Sequence, residues 1–517
     1  MLIALFAVVV AAYGLYRFLE PHFSGRLPRG PMPVPIFGNF PQIVWRMGVH
    51  NENVVHIFMD YAARYGPVYT VHLPGPVVVI TDGDLLREVM LKNEFSGRLH
   101  NVMFDLLKGG NFGIVRSDGP LWVQQRRFAL HVLRNFGLGR SAPMDAKCST
   151  PCRQILQRFQ EAADSGTAFD PSDVIALSVT NVINELLVGW TFEPNNERYL
   201  KLQRIANENF EMISNPLLRM TDAYPWLQHV PLFGNFGTKR LRANMEQFHA
   251  YFIEDIRERQ KTMAPFENNN NNNEQPISDE PTDFVCAYLL EWRRADASGK
   301  PHFFSMKQLI ASLHDLYQAG FETTVATLRW CLLFMLQYPE VQQKCRDEIH
   351  AVLGAEKAPS LADMPALPYT AATIQECQRL ANIAPINIAH RTTAEVTVAG
   401  YRIPSDTVVI PQLSAVMWDD RVFPDALQLR PQRFLEFSSD DQRPKLKSND
   451  KWMPFSLGKR ECLGKSLARA ELSLMFTSVL QRFELVPENH GELPSVLEQA
   501  RLAIRTPKAF RMCVRNV

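Results

Sequence analysis

The sequence predicts a mainly α-helical body with minor β structure, preceded by an N-terminal membrane helix. Three observations predict it. Apolar residues recur at helical spacing through most of the 517 residues, one such run extends from Ser305 to Pro339, and Met1 to Tyr16 carry no charge. Hydrophobic residues make up 46% of the chain and charged residues 21%, a composition that fills a large core and lies far from that of disordered chains. The formal net charge of +1 provides no global field for nucleic acid, so any charged docking surface is local.

At the N-terminus, Leu2, Ile3, Leu5, Phe6 and Val8 to Val10 build an apolar helix of roughly 24 Å, which Phe18 and Leu19 lengthen if Arg17 snorkels. Arg17, Arg26 and Arg29 follow the apolar run, the reverse of a cleaved signal peptide, and favour keeping the rest of the chain on the cytoplasmic side. Residues 1–20 are therefore expected to anchor the chain. Residues 21–36 are expected to form a stiff hinge, because Pro28, Pro31, Pro33 and Pro35 fix φ and remove donors. Residues 37–517 then form the body. Short strands are expected at Val77 to Thr81, Val396 to Val398 and Val408 to Ile410, and Asn268 to Asn273 reads as an exposed loop. The longest helix starts after Ser305, a suitable N-cap, and at ~1.5 Å per residue crosses about 50 Å.

Eight cysteines (148, 152, 286, 331, 345, 377, 462 and 513) are scattered without the spacing of a disulfide scaffold. Cys148 and Cys152 lie four apart, but no second Cys/His pair follows at zinc-site spacing. Cys462 differs from the others. It sits in Pro454-Phe455-Ser456-Leu457-Gly458-Lys459-Arg460-Glu461-Cys462-Leu463-Gly464, directly before the helical run Lys465 to Arg482. Phe455, Gly458, Arg460, Cys462 and Gly464 match a haem-binding signature, and in these positions the chain resembles the cytochromes P-450.

The resemblance extends from Leu27 to Val517 and implies a cytochrome P-450 fold, with haem b (iron protoporphyrin IX) between a long central helix and the cysteine-bearing loop. Cys462 is the implied axial ligand to iron. Physics accounts for the residue types: the positive end of the following helix is expected to lower the thiol pKa, and backbone amides to hydrogen-bond the sulfur. Gly458 and Gly464 are expected to let the backbone turn and approach a flat macrocycle, Phe455 to cover the sulfur, and Arg460 to pair with a propionate. Trp122 with Arg126, four apart on a helix, together with Arg98 and His390, match propionate contacts of the microsomal drug- and steroid-metabolising branch. Glu376, Arg379 and Arg433 match a buried structural network of the family.

Ala319-Gly320-Phe321-Glu322-Thr323-Thr324 resembles the family's oxygen-activation motif. Thr323 is expected to bond back to the Ala319 carbonyl and open a local bend at Gly320, with Glu322 and Thr323 delivering protons during oxygen activation. The implied enzyme uses O₂ and NADPH-derived electrons to hydroxylate or epoxidise small apolar substrates of the xenobiotic, steroid or fatty-acid classes. Its implied partners are NADPH-cytochrome P-450 reductase, with cytochrome b5 as a further candidate donor, and its implied place is the endoplasmic reticulum membrane. The substrate pocket is expected between Arg98 and Arg116, the Leu217 to Phe236 region and Phe321. Two departures from the family pattern are Arg29, at a common proline, and Lys465, at a common acidic position. One rival is a haem-thiolate isomerase or dehydratase, against which Glu322-Thr323 argues; another is a non-catalytic haem sensor, which consumption of NADPH distinguishes.

Overall fold

A computed structural model describes residues 27–73, 75–231, 238–263, 281–438, 441–489, 493–495 and 504–517. The expected membrane anchor, the first part of the hinge and the Asn268 to Asn273 tract lie outside the described residues. Helices dominate. The central helix, Met306–Gln337, begins at an N-cap where the Ser305 hydroxyl accepts the Gln308 amide at 3.2 Å, and it ends before Pro339. It packs along the Ser172–Val188 helix on one side and against the Pro368–Ala381 and Lys465–Arg482 helices on others. Apolar side chains from these helices and from Ser141–Ser165 merge into one large core. Of the described helices only the central one is long and apolar enough to cross a membrane, but 78% of its apolar window is buried in the protein, as in a core helix.

All three expected strands form. The main sheet has five strands in the order Val68–His72, Pro76–Ile80, Val408–Pro411, His390–Arg391, Gly97–Arg98. Alternation is weak in these strands because both faces are covered, so Val78, Val79, Ile80 and Val409 are all inaccessible to solvent. The last pairing sets Arg98 directly opposite His390. Two residues 292 positions apart in the chain thereby become neighbours.

The described part of the proline-rich segment does not span freely between anchor and body. Leu27 is buried, the Arg29 carbonyl accepts the Thr70 amide at 3.3 Å, and the Asn39 side chain donates to the carbonyls of Pro31 and Met32. A Cβ on Gly30 would stand 1.8 Å from the Thr70 carbonyl oxygen. The extended backbone that proline enforces runs alongside the Val68–His72 strand, so the stiffness serves packing.

Candidate active site

The cysteine loop closes on itself: the Cys462 amide donates to the Phe455 carbonyl at 2.9 Å, around a short 3₁₀ turn at Gly458–Arg460. Gly458 has φ +71°, and a Cβ there would lie 1.9 Å from the Met90 carbonyl oxygen, so both conformation and space require glycine. Gly464 is different. Its φ of −85° suits any residue, and a Cβ there would meet no protein atom within 4 Å, so neither the turn nor protein packing requires glycine. Trp452 and Phe455 meet edge-on with ring centres 6.4 Å apart, and the Arg469 guanidinium lies over both rings.

The Cys462 side chain is solvent-accessible, yet burial is the largest influence on its thiol and pushes its pKa up. Both hold if the sulfur opens onto a sunken cleft. The Gly464 amide, hydrogen-bonded to it, and the nearby Arg126 charge act in the opposite direction. The amide at the helix start thus lowers the pKa as expected, while in the protein alone the cost of burying a thiolate exceeds it. A bound metal cation reverses that balance.

Above the loop lies an unbalanced patch of positive charge. Arg98, Arg126 and Arg460 each have a depressed pKa, chiefly through burial; Arg98 is lowered further by Arg460 and Arg126, and Arg460 by Arg126, down to about 9. A guanidinium stays protonated, so these shifts record charge that burial makes costly, offset only in part by Asp118 near Arg98 and Arg460 and by Glu461 near Arg126. Backbone carbonyls hold the three groups in place. Arg98 donates to Val115, Ile388 and Ala389, Arg460 to Ser96 and Ser117, and Arg126 to Glu461. None of the three makes an ion pair with a carboxylate among the described residues. The Trp122 ring lies under Arg460 at 3.6 Å, and its buried Nε1 has no hydrogen-bond partner. His390 keeps Nδ1–H on the Phe95 carbonyl at 2.6 Å, while its buried Nε2 is unpartnered. Burial and the Arg98 charge hold this imidazole neutral, and a carboxylate at Nε2 would favour the doubly protonated ring. Three cations and two unsatisfied groups thus converge on one place, an arrangement suited to a multiply charged anion.

On the central helix, the Thr323 hydroxyl donates to the Ala319 carbonyl at 2.7 Å, as expected. The helix assignment runs unbroken through this point, from Met306 to Gln337. Gly320 serves close packing, since a Cβ there would press on the Ile183 side chain at 3.0 Å. Ala319 is exposed in the middle of an otherwise buried helix, and Glu322 is 5% exposed, which places a cleft on this face. Phe321 does not line it. At ~100° per residue it points away from Ala319, and it is buried in the main core beside Tyr317.

Sequence reasoning missed what closes the cleft. Asp315 is buried and ion-paired to buried Lys108, and its other oxygen accepts the amides of Ile114 and Val115 at 2.7 and 3.0 Å. Gln308 both accepts from and donates to Gly113 at 3.0 Å. The segment between Arg98 and Arg116 is thereby clamped to the central helix. It also meets the second expected pocket segment, where Asp222 accepts the Met103 amide at 2.8 Å. An aspartate inside an apolar helical run was the available signal, because a buried charge requires a partner. The Glu376 network forms as expected: Arg379 donates to both carboxylate oxygens at 2.7 and 2.8 Å, and Arg433 to one at 3.1 Å.

Comparison with known proteins places the chain in a family. The family described as Cytochrome P450 matches residues 28–514. Among curated relatives, the chain is 32% identical to rabbit (Oryctolagus cuniculus) cytochrome P450 2E1 over 99% of this chain and 98% of that protein. It is 34% identical to the Bos taurus cytochrome P450 2E1 over 95% and 93%, and 32% identical to Rattus norvegicus cytochrome P450 2C70 over 96% of each.

Proposed function

This chain belongs to the cytochrome P450 family, and from that premise we propose that it hydroxylates or epoxidises small apolar organic molecules with electrons drawn from NADPH through a membrane-bound reductase. It is a haem-thiolate monooxygenase with haem b as cofactor. Its residues fit that group. Cys462 would hold the iron; Arg98, Trp122, Arg126, His390 and Arg460 would hold the propionates; Gly464 leaves room for the ring. When bound, the haem supplies activation of O₂, which thiolate ligation favours by pushing electron density toward O–O cleavage. The overall balance is R–H + O₂ + two electrons + two protons giving R–OH + water.

The chain's own residues set the surroundings of that reaction. Thr323, hydrogen-bonded to the Ala319 carbonyl beside the cleft, holds a hydroxyl through which protons pass, with buried Glu322 as the next group. The Lys108–Asp315 clamp keeps the segment over the cleft in place and water out. One observation carries the reading: an accessible thiol set near three buried arginines that make no carboxylate ion pair among the described residues. The test is reconstitution with NADPH-cytochrome P450 reductase. Coupled NADPH consumption and oxygenated product are expected from the wild type, and at least tenfold poorer coupling from Thr323→Ala. Normal coupling in the variant would remove Thr323 from proton delivery, and no turnover in the wild type would leave a haem sensor.

The reductase is proposed to dock behind the thiolate, on a groove lined by Lys447, Trp452, Phe455, Lys465 and Arg469. Lys465 is ion-paired with Glu461, so its departure from the family pattern adds less positive charge there than a free lysine. Cytochrome b5 is a second candidate for the same face. The chain is proposed to sit at the endoplasmic reticulum membrane with the body cytoplasmic, and exposed apolar side chains support contact with a membrane. Ile36, Val49 and Trp226 are 70%, 66% and 62% exposed. The Tyr224 hydroxyl donates to the Ile36 carbonyl at 2.8 Å, joining two of these segments across the chain.

A further inference from the structure

Away from the cleft, two packed helices bring a pair of imidazoles together. His314 lies on the core face of the central helix, and His249 on the Lys239–Met263 helix that packs against it. Nδ1 of His314 and Nε2 of His249 are both buried and have no hydrogen-bond partner among the described residues. An unpartnered buried polar atom is costly, and the reaction assigned to Cys462 and Thr323 makes no use of this pair.

The spacing suits a shared metal ion. At metal–nitrogen distances of about 2.0–2.1 Å, two imidazoles on one ion have ring centres roughly 5–6.5 Å apart. Those of His249 and His314 are 5.9 Å apart, with the rings inclined at 74°. Both rings are kept in the neutral form that ligates: burial, then the nearby Lys108 charge, hold His314 well below its ordinary pKa and His249 at about 4. His249 is half-buried and His314 is 5% exposed, so an ion enters past His249.

A third donor stands one turn from His249 on the same helix face. Met245 is buried, and its sulfur accepts from the Asn209 side-chain amide at 3.4 Å. No three His, Cys, Asp or Glu side chains cluster as a metal centre among the described residues, so neutral donors decide which ion fits. Lys108 is itself balanced by Asp315, which leaves no carboxylate to offset a bound cation. One buried charge is less costly than two, and imidazole with thioether is a soft donor set.

We propose that His249 and His314 bind one copper(I) ion between the Lys239–Met263 helix and the central helix, with the Met245 thioether as third ligand. The site is separate from the haem and stands whether or not the monooxygenase reading holds.

The test uses the haem-loaded full chain in a Cys152→Ser, Cys286→Ser, Cys513→Ser background, which removes the partly exposed thiols that compete for copper(I). The protein is titrated without oxygen against the copper(I) complex of a chromophoric chelator, and the loaded form is measured by X-ray absorption at the copper edge. One equivalent is expected to transfer, with two nitrogen scatterers and one sulfur. His249→Gln and His314→Phe should each weaken binding at least roughly a hundredfold, since loss of even an outer partner of a ligand costs up to that much. Met245→Leu should remove the sulfur scatterer and keep both nitrogens. The half-buried His249 variant decides the matter where His314→Phe loads haem poorly. Three results would overturn the proposal: no transfer of copper(I), meaning that water alone fills the gap; unchanged binding in both histidine variants, meaning that the ion sits elsewhere; or tighter binding of zinc(II) than of copper(I).

Discussion

Glu471 shows how one buried side chain shapes stability without touching the reaction. It lies on the Lys465–Arg482 helix, 1% exposed, with the Thr324 hydroxyl 3.3 Å away, and burial raises its pKa from 4.5 to about 8. The folded state therefore keeps a proton that the unfolded chain releases above about 4.5. Stability from this group is fully present below that pH, falls as pH rises toward about 8, and is lost beyond it. Glu471→Gln cannot ionise and removes the slope. Relative to wild type, the variant should gain stability progressively between pH 5 and 8, by up to about 3 kcal/mol at pH 7. Urea unfolding at four pH values across that window checks it, and a pH-independent difference would contradict it. Nothing in the sequence disclosed this residue, since a glutamate in a helix is ordinarily exposed. The Glu376 network was legible only through resemblance, because an i, i+3 pair is commonplace on helix surfaces.

Among the elements, the clamp between the central helix and the segment ending at Arg116 decides whether the cleft is closed. Removing Asp315 leaves Lys108 charged in a buried place and frees the amides of Ile114 and Val115. Asp315→Ala should therefore cost about 3–5 kcal/mol. Its signature is local: amide hydrogen exchange at residues 110–116 should rise well before that of the core helices. Equal loss of protection in the Ser172–Val188 helix would instead mean general unfolding. The helices themselves were plain in the sequence, since capping at Ser305 and apolar periodicity act locally. Which side chain points where was less plain. Phe321 was expected at the pocket and lies in the core. Periodicity finds a buried face, but a helix buried on nearly all sides gives no contrast to phase it. The pairing of Arg98 with His390 was equally hidden, because strand register across 292 residues is set by the assembled sheet.

At the scale of the whole molecule, the proposed function divides the surface between a membrane face and a donor face. Trp45, on the Phe40–Val49 helix, and Trp226, two residues from Tyr224, are 56% and 62% exposed. Vesicles of brominated lipid should quench tryptophan fluorescence of the full chain, and the Trp45→Phe, Trp226→Phe double variant should lose a substantial part of that quenching. Unchanged quenching would place both residues away from the bilayer. The signature around Cys462 made the site legible in the sequence, whereas the charge that gathers above it emerges only when Arg98, Arg126 and Arg460 meet in the fold. The proposed function depends on ligation of the haem iron by Cys462, and the absorption spectrum of reduced protein under carbon monoxide tests it most directly. The wild type should give the long-wavelength Soret maximum of thiolate ligation, and Cys462→Ala should lose it. A maximum typical of histidine ligation in the wild type, or an unaltered spectrum in the variant, would contradict the account.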